Sequence, residues 1–442
     1  MTSMAESQTV RSEQPARSEQ SEAQAEGPQP TPLRANRALH GIYAGTFTAF
    51  MGLSMAEVVY PLLVLGFTGK PLLAGLFGTV QATALVLASI PAGNFVDRHD
   101  RRHVLIVSES IRAAVATVLA VTLAGGHVWL VEVYLIAAVL GACQPLSSVR
   151  TLALRAIAAP SQLTRAISFQ QVVAGVAQLI GPAIGTVLYT VNRSLPFVAI
   201  AAGVGISALC AYAVHFDGKP APATAQPDAD GDTQADTKPA SDSPFAGLRI
   251  IWSNPVMRGT MLFIMLLGPI GVPLDLALII QAKHEGVATH YIGLILAAFA
   301  AGGIFGAPFV PKLHALLRPG QLLIGLGLVL ALACAMIAIF PLGGFWMAGW
   351  LAAIGFAVPA AEVLIDVLIL RQVPDHQRGR VLSAVMTFVG LGLPIGATLG
   401  GSLLQVVSPT MFLIGAAAVT AAVVMLATAQ RDLRTSQWPP AN

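Results

Sequence analysis

Several ionisable residues stand inside stretches that are otherwise apolar: Glu57, Asp275, the pair Glu109 and Arg112, and the pair Glu362 and Asp366. A charge in such a segment costs ~2.5–3.5 kcal/mol by insertion scales, so it faces a protein interior and marks a path for ions, protons or polar ligands. Burial disfavours the charged form of a carboxyl. Acids set among apolar residues are therefore candidates for proton exchange. Glu57 and Asp275 are the first two candidates; outer-surface acids in contact with water are the alternative. Glu109 and Arg112, three apart on one helical face, read as a structural ion pair with a coupling role as the other option. Glu362 and Asp366 lie four apart on one face, so at least one is protonated or paired, with Arg371 as a partner. Glu132, close after Trp129, reads as a solvated interfacial acid.

Other reactive chemistry has no foothold. His, Cys, Asp and Glu show no metal-ligand spacing, and there is no phosphate loop or nucleophile motif. Cys143, Cys210 and Cys334 sit within apolar runs and read as packing residues. No metal, no cofactor and no enzymatic activity are expected. A net charge of only +3 speaks against nucleic acid as a partner.

The elements that position these residues follow from composition. Of 442 residues, 55% are hydrophobic and only 11% charged, against roughly 25% charged in average soluble domains. Mean hydropathy is +0.71. A water-soluble fold cannot hide that much apolar surface. The sequence predicts an all-α polytopic membrane protein with 12 transmembrane helices in two six-helix bundles, each helix long enough for a ~30 Å hydrocarbon core. Residues 1–38 read as a disordered cytoplasmic tail and 39–215 as the N-terminal bundle. Residues 216–256 form a cytoplasmic linker that ends in a short amphipathic helix, 257–428 the C-terminal bundle, and 429–442 a second tail. Charge fixes the predicted orientation. Of 25 Lys and Arg, only Lys70, Arg193 and Lys283 fall on the side opposite the termini, and Arg112 lies within a span. Both termini are therefore expected in the cytoplasm. On span starts at 39 and 257, Glu57 and Asp275 both lie ~27 Å along their helices, in the outer half, and could face one another across a cavity.

The halves repeat at an offset near 214 residues: Gly141-x-x-x-Pro145 returns as Gly355-x-x-x-Pro359, and Pro160 as Pro374. A proline kink recurs as Gly181-Pro182-x-x-Gly185 and Leu393-Pro394-x-Gly396. Paired six-helix repeats are a transporter architecture with the substrate between the halves near the midplane. Gln81, Gln144, Gln171 and Gln178, with Gln170, are polar groups able to meet a substrate there or to bond neighbouring helices.

Two motifs carry a resemblance. The loop between spans two and three runs Gly93-Asn-Phe-Val-Asp97-Arg98-His-Asp-Arg101-Arg102. This resembles the signature loop of the major facilitator superfamily, in which Gly, Asp and the Arg cluster form a cytoplasmic gate. Span five carries Gly175, Gly181, Pro182 and Gly185, similar to the motif of exporters in that superfamily, although Thr186 stands where the pattern ends in Gly. With Pro61-Leu-Leu-Val-Leu and Arg112, these phrases resemble the bacterial branch of the enterobactin exporter and macrolide efflux proteins, over about residues 39–430. The Arg that classical drug–proton antiporters carry in span four has no counterpart between Val133 and Leu140. The resemblance implies a monomeric transporter in the bacterial inner membrane, surrounded by lipid. It implies export of a small amphipathic molecule, such as a drug, antibiotic, siderophore or metabolite, in exchange for protons. Uptake of a metabolite and flipping of a lipid or lysolipid are the alternatives.

Overall fold

In a computed structural model, residues 36–157, 159, 162–214, 246–253, 255–373 and 375–430 are described. The expected tails and most of the expected linker lie outside these residues. The described chain is all-α, with no strand among the described residues.

Twelve helices are long and apolar enough to cross a membrane. Spans one to six are Arg37–Thr68, Pro71–Ser89, Arg101–Ala124, Leu130–Leu154, Arg165–Val191 and Leu195–Ala213. Spans seven to twelve are Val256–His284, Thr289–Leu316, Pro319–Ile339, Gly344–Leu364, Val389–Val406 and Pro409–Ala429. The helix of span two runs on to Arg98, that of span ten to Gln372, and that of span eleven starts at Asp375. This last start precedes the apolar stretch, because the polar run Asp375–Arg380 continues the helix beyond it. An even number of crossings places Asn36 and Gln430 on one face, here the terminal face. The short connections at Gly69–Lys70, 125–129, 192–194, 285–288, 340–343 and 407–408 lie on the other, the turn face.

Local chemistry sets the ends. The Asn36 side chain accepts hydrogen bonds from the Ala38 and Leu39 backbone N–H groups, and Ser408 accepts one from Met411. Pro71, Pro319 and Pro409 occupy first helical positions, where no N–H is needed. Gly69 ends span one at φ 64°, the left-handed conformation that frees the chain to turn back at once. Pro145 and Pro308 remove backbone donors, and spans four and eight pass there through short 3-10 segments, Gln144–Ser148 and Ala307–Phe309.

Packing depends on small residues, as expected where lipid gives helices no hydrophobic reason to associate. A Cβ at Gly141 of span four would strike the Gln81 carbonyl of span two. At the repeat-related position, a Cβ at Gly355 of span ten would strike the Phe299 carbonyl of span eight. The two halves thus reuse one close crossing. They meet along two seams, span two against span eleven and span five against span eight. The helix Ala246–Ser253 packs on spans seven and eleven through the buried Ile251, with Trp252 partly exposed.

Candidate functional site

A cavity lies between the halves. It has a volume of about 220 Å³, and Glu57 of span one and Asp275 of span seven both line it. Gly78 and Gln81 of span two, Pro273 of span seven and Ala397 of span eleven complete its contact with both bundles. The two carboxyls are exposed to this space within a wall whose neighbours, Val58 and Leu274 among them, are buried. Glu57 stands ~16 Å and Asp275 ~14 Å along their helices from the turn-face ends. The cavity therefore sits on the turn side of the middle.

Above it the seams are closed by a repeated device. In span five the Thr186 hydroxyl lies 3.0 Å from the Pro182 carbonyl and 3.2 Å from the His290 carbonyl of span eight. In span eleven the Thr398 hydroxyl lies 2.8 Å from the Pro394 carbonyl and 2.9 Å from the Thr79 hydroxyl of span two. Each threonine follows its kink proline by four residues and reaches across to the other half. Backbone approach reinforces both contacts. A Cβ at Gly293 would strike the Pro182 carbonyl, and Cβ atoms at Gly75 and Gly401 would lie 2.7 and 2.8 Å from each other's Cα. Leu72 N–H donates to Gln405 at 3.4 Å nearer the turn face. The Pro–x3–Thr spacing recurs in the sequence at an offset of 212, inside the same kinks that Gly181, Gly185 and Gly396 mark. Gly181 and Gly185 pack within the first half, against Ser54, Met55 and Val59 of span one, and Gly175 faces Ile304 of span eight.

A second polar centre lies inside the N-terminal bundle. Glu109 is fully buried and holds two guanidinium groups, Arg112 at 3.2 Å and Arg150 at 2.9 Å. Arg150 also donates to the Gly45 carbonyl at 2.6 Å and to the Ser207 hydroxyl, so spans one, three, four and six converge on it. Glu109 Oε2 and Arg112 Nε have no hydrogen-bond partner among the described residues. Arg150 is not one of the cations of the loop between spans four and five: span four continues to Leu154 and buries this side chain to 4% exposure. Its place at the end of an apolar run, with Arg155 close behind, resembles a topology-setting cluster, and no local signal distinguishes it. A small cavity beside Arg112 is lined by Tyr60, Gln81 and Gln144, so Gln81 borders both cavities.

The other expected residues are placed less centrally. Gln171 and Gln178 are exposed on span five, whereas Gln170 is buried. Glu132 is half-buried and accepts a 2.8 Å bond from Thr122. Glu362 is exposed on span ten. The side chains of Gly93, Asp97, Asp366 and Arg371 lie outside the described set. Arg98 is exposed, and Arg102 donates to the carbonyls of Ala211 and Tyr212, capping span six and lying over the Tyr212 ring. In the same loop Asp100 receives the Arg102 N–H at 2.8 Å and faces His103 at 3.2 Å. Partial burial pushes its carboxyl up, but the Arg102 N–H and His103 bring it below the ordinary carboxylate value.

Comparison with known proteins agrees with this architecture. The family model described as Major Facilitator Superfamily matches residues 42–358 and 276–441. The multidrug efflux pump Tap of Mycolicibacterium fortuitum is 24% identical over 369 residues, covering 82% of this chain and 88% of Tap. The enterobactin exporter EntS of Shigella boydii serotype 4 (strain Sb227) is 23% identical over 386 residues, covering 85% and 88%. Among solved structures, a mutant form of nucleoside transporter NupG superposes with a TM-score of 0.73 at 13% identity, covering 89% of this chain and 99% of NupG. That last likeness speaks for the fold.

Proposed function

The chain belongs to the major facilitator superfamily, and on that premise we propose that it exports a small amphipathic molecule across the inner membrane by proton antiport with alternating access. The observation that carries this reading is the shared cavity: Glu57 and Asp275, from equivalent spans of the two halves, line one space beneath a seam closed at the turn face. Each acid can hold a proton or give it up as the halves rock. In this mechanism substrate enters from the terminal face, which is cytoplasmic. The seams then exchange, the turn face opens, and protons arriving from outside occupy the carboxyls as substrate leaves. The relatives named as efflux pump and exporter support the outward direction. The small-residue contacts at Gly75, Gly401 and Gly293 support a seam that parts cleanly, because backbones separate there without disengaging long side chains.

The test uses inverted vesicles with an imposed pH gradient and a pH-sensitive dye. A panel of macrolides, siderophores, lipophilic cations and lysolipids is added. Substrate-dependent collapse of the gradient is expected, and its loss in Glu57→Gln and in Asp275→Asn. Efflux that survives unchanged in both variants overturns the assignment of these acids. Accumulation of substrate in intact cells would turn the direction to uptake.

A further inference from the structure

We propose that the small cavity inside the N-terminal bundle, beside Arg112, is a binding site for chloride. Charge points there first. The triad of Glu109, Arg112 and Arg150 sets one negative group against two positive ones. All three side chains are buried. A positive charge is left over in the bundle interior, where an unmatched ion is costly and draws a counter-charge. Two cavities border the triad. One touches Arg112 and the other Arg150, and neither has an acid in its lining. Glu57 lines the separate cavity between the halves, beyond Gln81. The residues of these two linings therefore leave the charge unbalanced.

Unused donors select the side on which an anion binds. The Arg112 guanidinium meets Glu109 through Nη1, while its Nε is buried with no partner among the described residues. The Tyr60 hydroxyl is likewise buried and unpartnered there. Tyr60 is 1% exposed and Arg112 7%, and both line this cavity. Buried donors are nearly always met by an acceptor. The Tyr60 ring stacks on Phe77 at 4.8 Å and meets Phe197 edge-on at 5.1 Å, so its hydroxyl is held in place. Gln81 and Gln144 bring amide N–H groups to the same wall. On the other side Arg150 already donates to the Gly45 carbonyl and the Ser207 hydroxyl. A cation entering beside Arg112 meets like charge. Water satisfies the donors and leaves the charge unmatched. At about 20 Å³ the space holds a water or a monatomic ion, not a larger ligand. Chloride answers donors, charge and size together. This site stands apart from the transport reading, and its test needs no transported substrate.

Full-length protein in lipid nanodiscs at pH 7 is melted in sodium chloride and in sodium gluconate, exchanged stepwise at constant ionic strength. The melting temperature is expected to rise with chloride and to level off as the site fills. Bromide should replace chloride, and sulfate should not. Tyr60→Phe removes one donor and keeps the ring, and should raise the half-saturating chloride concentration about tenfold. Gln144→Glu sets a carboxylate on the wall and should abolish the dependence, bringing the melting temperature in gluconate up to that in chloride. Arg112→Gln leaves Glu109 and Arg150 as a neutral pair and should abolish it too. Equal melting of the wild-type protein in the two salts overturns the inference, since water then fills the space, and needs no variant to fold. A rise that never saturates and is larger in sulfate is a general salt effect and overturns it as well. So does a chloride dependence that persists unchanged in both Gln144→Glu and Arg112→Gln, which would put the ion elsewhere.

Discussion

Glu109 joins spans three and four of the N-terminal bundle through its ion pairs with Arg112 and Arg150. With a fully buried carboxylate set against two guanidiniums, the centre holds together only while the negative member is present. Removing one partner of a buried ionic group typically costs about 3–5 kcal/mol, since the remaining charges stay desolvated and unmatched. Glu109→Gln is therefore expected to lower thermal stability sharply, read as loss of monodisperse protein on heating in detergent. Glu57→Gln, at a carboxyl open to the cavity, should melt close to wild type in the same assay. A Glu109→Gln protein of unchanged stability would remove the structural role assigned to the triad. At this scale the sequence was half legible. The pair Glu109 and Arg112 shows itself by its spacing of three. Arg150 does not, because its partners Gly45, Glu109 and Ser207 are brought to it only by the tertiary fold.

Spans five and eleven are the elements whose chemistry decides whether the turn face is shut. Their threonines, four residues after a kink proline, bond back to their own helices and also reach the opposing half. Replacing Thr79 and Thr398 together by Cys, in a background lacking Cys143, Cys210 and Cys334, should give a disulfide under mild oxidation. Transport is then expected to stop and to return on reduction, which vesicle assays with and without reductant would check. Gly401→Val tests the same seam from the other direction. Its side chain has no room against Gly75, so spin labels at His127 and Leu342, both at the turn face, should move apart in pulsed dipolar spectra. Unchanged distances would mean that the glycine contact is not needed for closure. The helices themselves were legible because hydrocarbon thickness leaves a plain mark on sequence: a run of apolar residues of fixed length. The crossing of spans two and four was foreshadowed by Gly141 and its repeat at Gly355. The partner surfaces of spans five and eleven were not, because apolar periodicity says which helix is in the membrane but not which neighbour it meets.

At the scale of the whole molecule the two bundles share a plan and differ in how they are held. Glu57 and Asp275 stand on equivalent spans of the two halves, and one cavity receives both. The charge triad belongs to the first bundle, and it has a consequence for how the chain is made. A nascent chain that has laid down spans one to three carries Glu109 and Arg112 as a self-neutralising pair. Span four then delivers Arg150, a positive charge that hydrocarbon does not accept cheaply. Its hydroxyl partner, Ser207, arrives only with span six. Biogenesis of the first bundle thus has a defined last piece. Ribosome-arrested chains that end after span six should resist protease as a unit, and chains ending after span five should not. The first bundle is then a finished body before the second begins to emerge, and the translocon holds a growing charge cluster until the sixth helix closes around it.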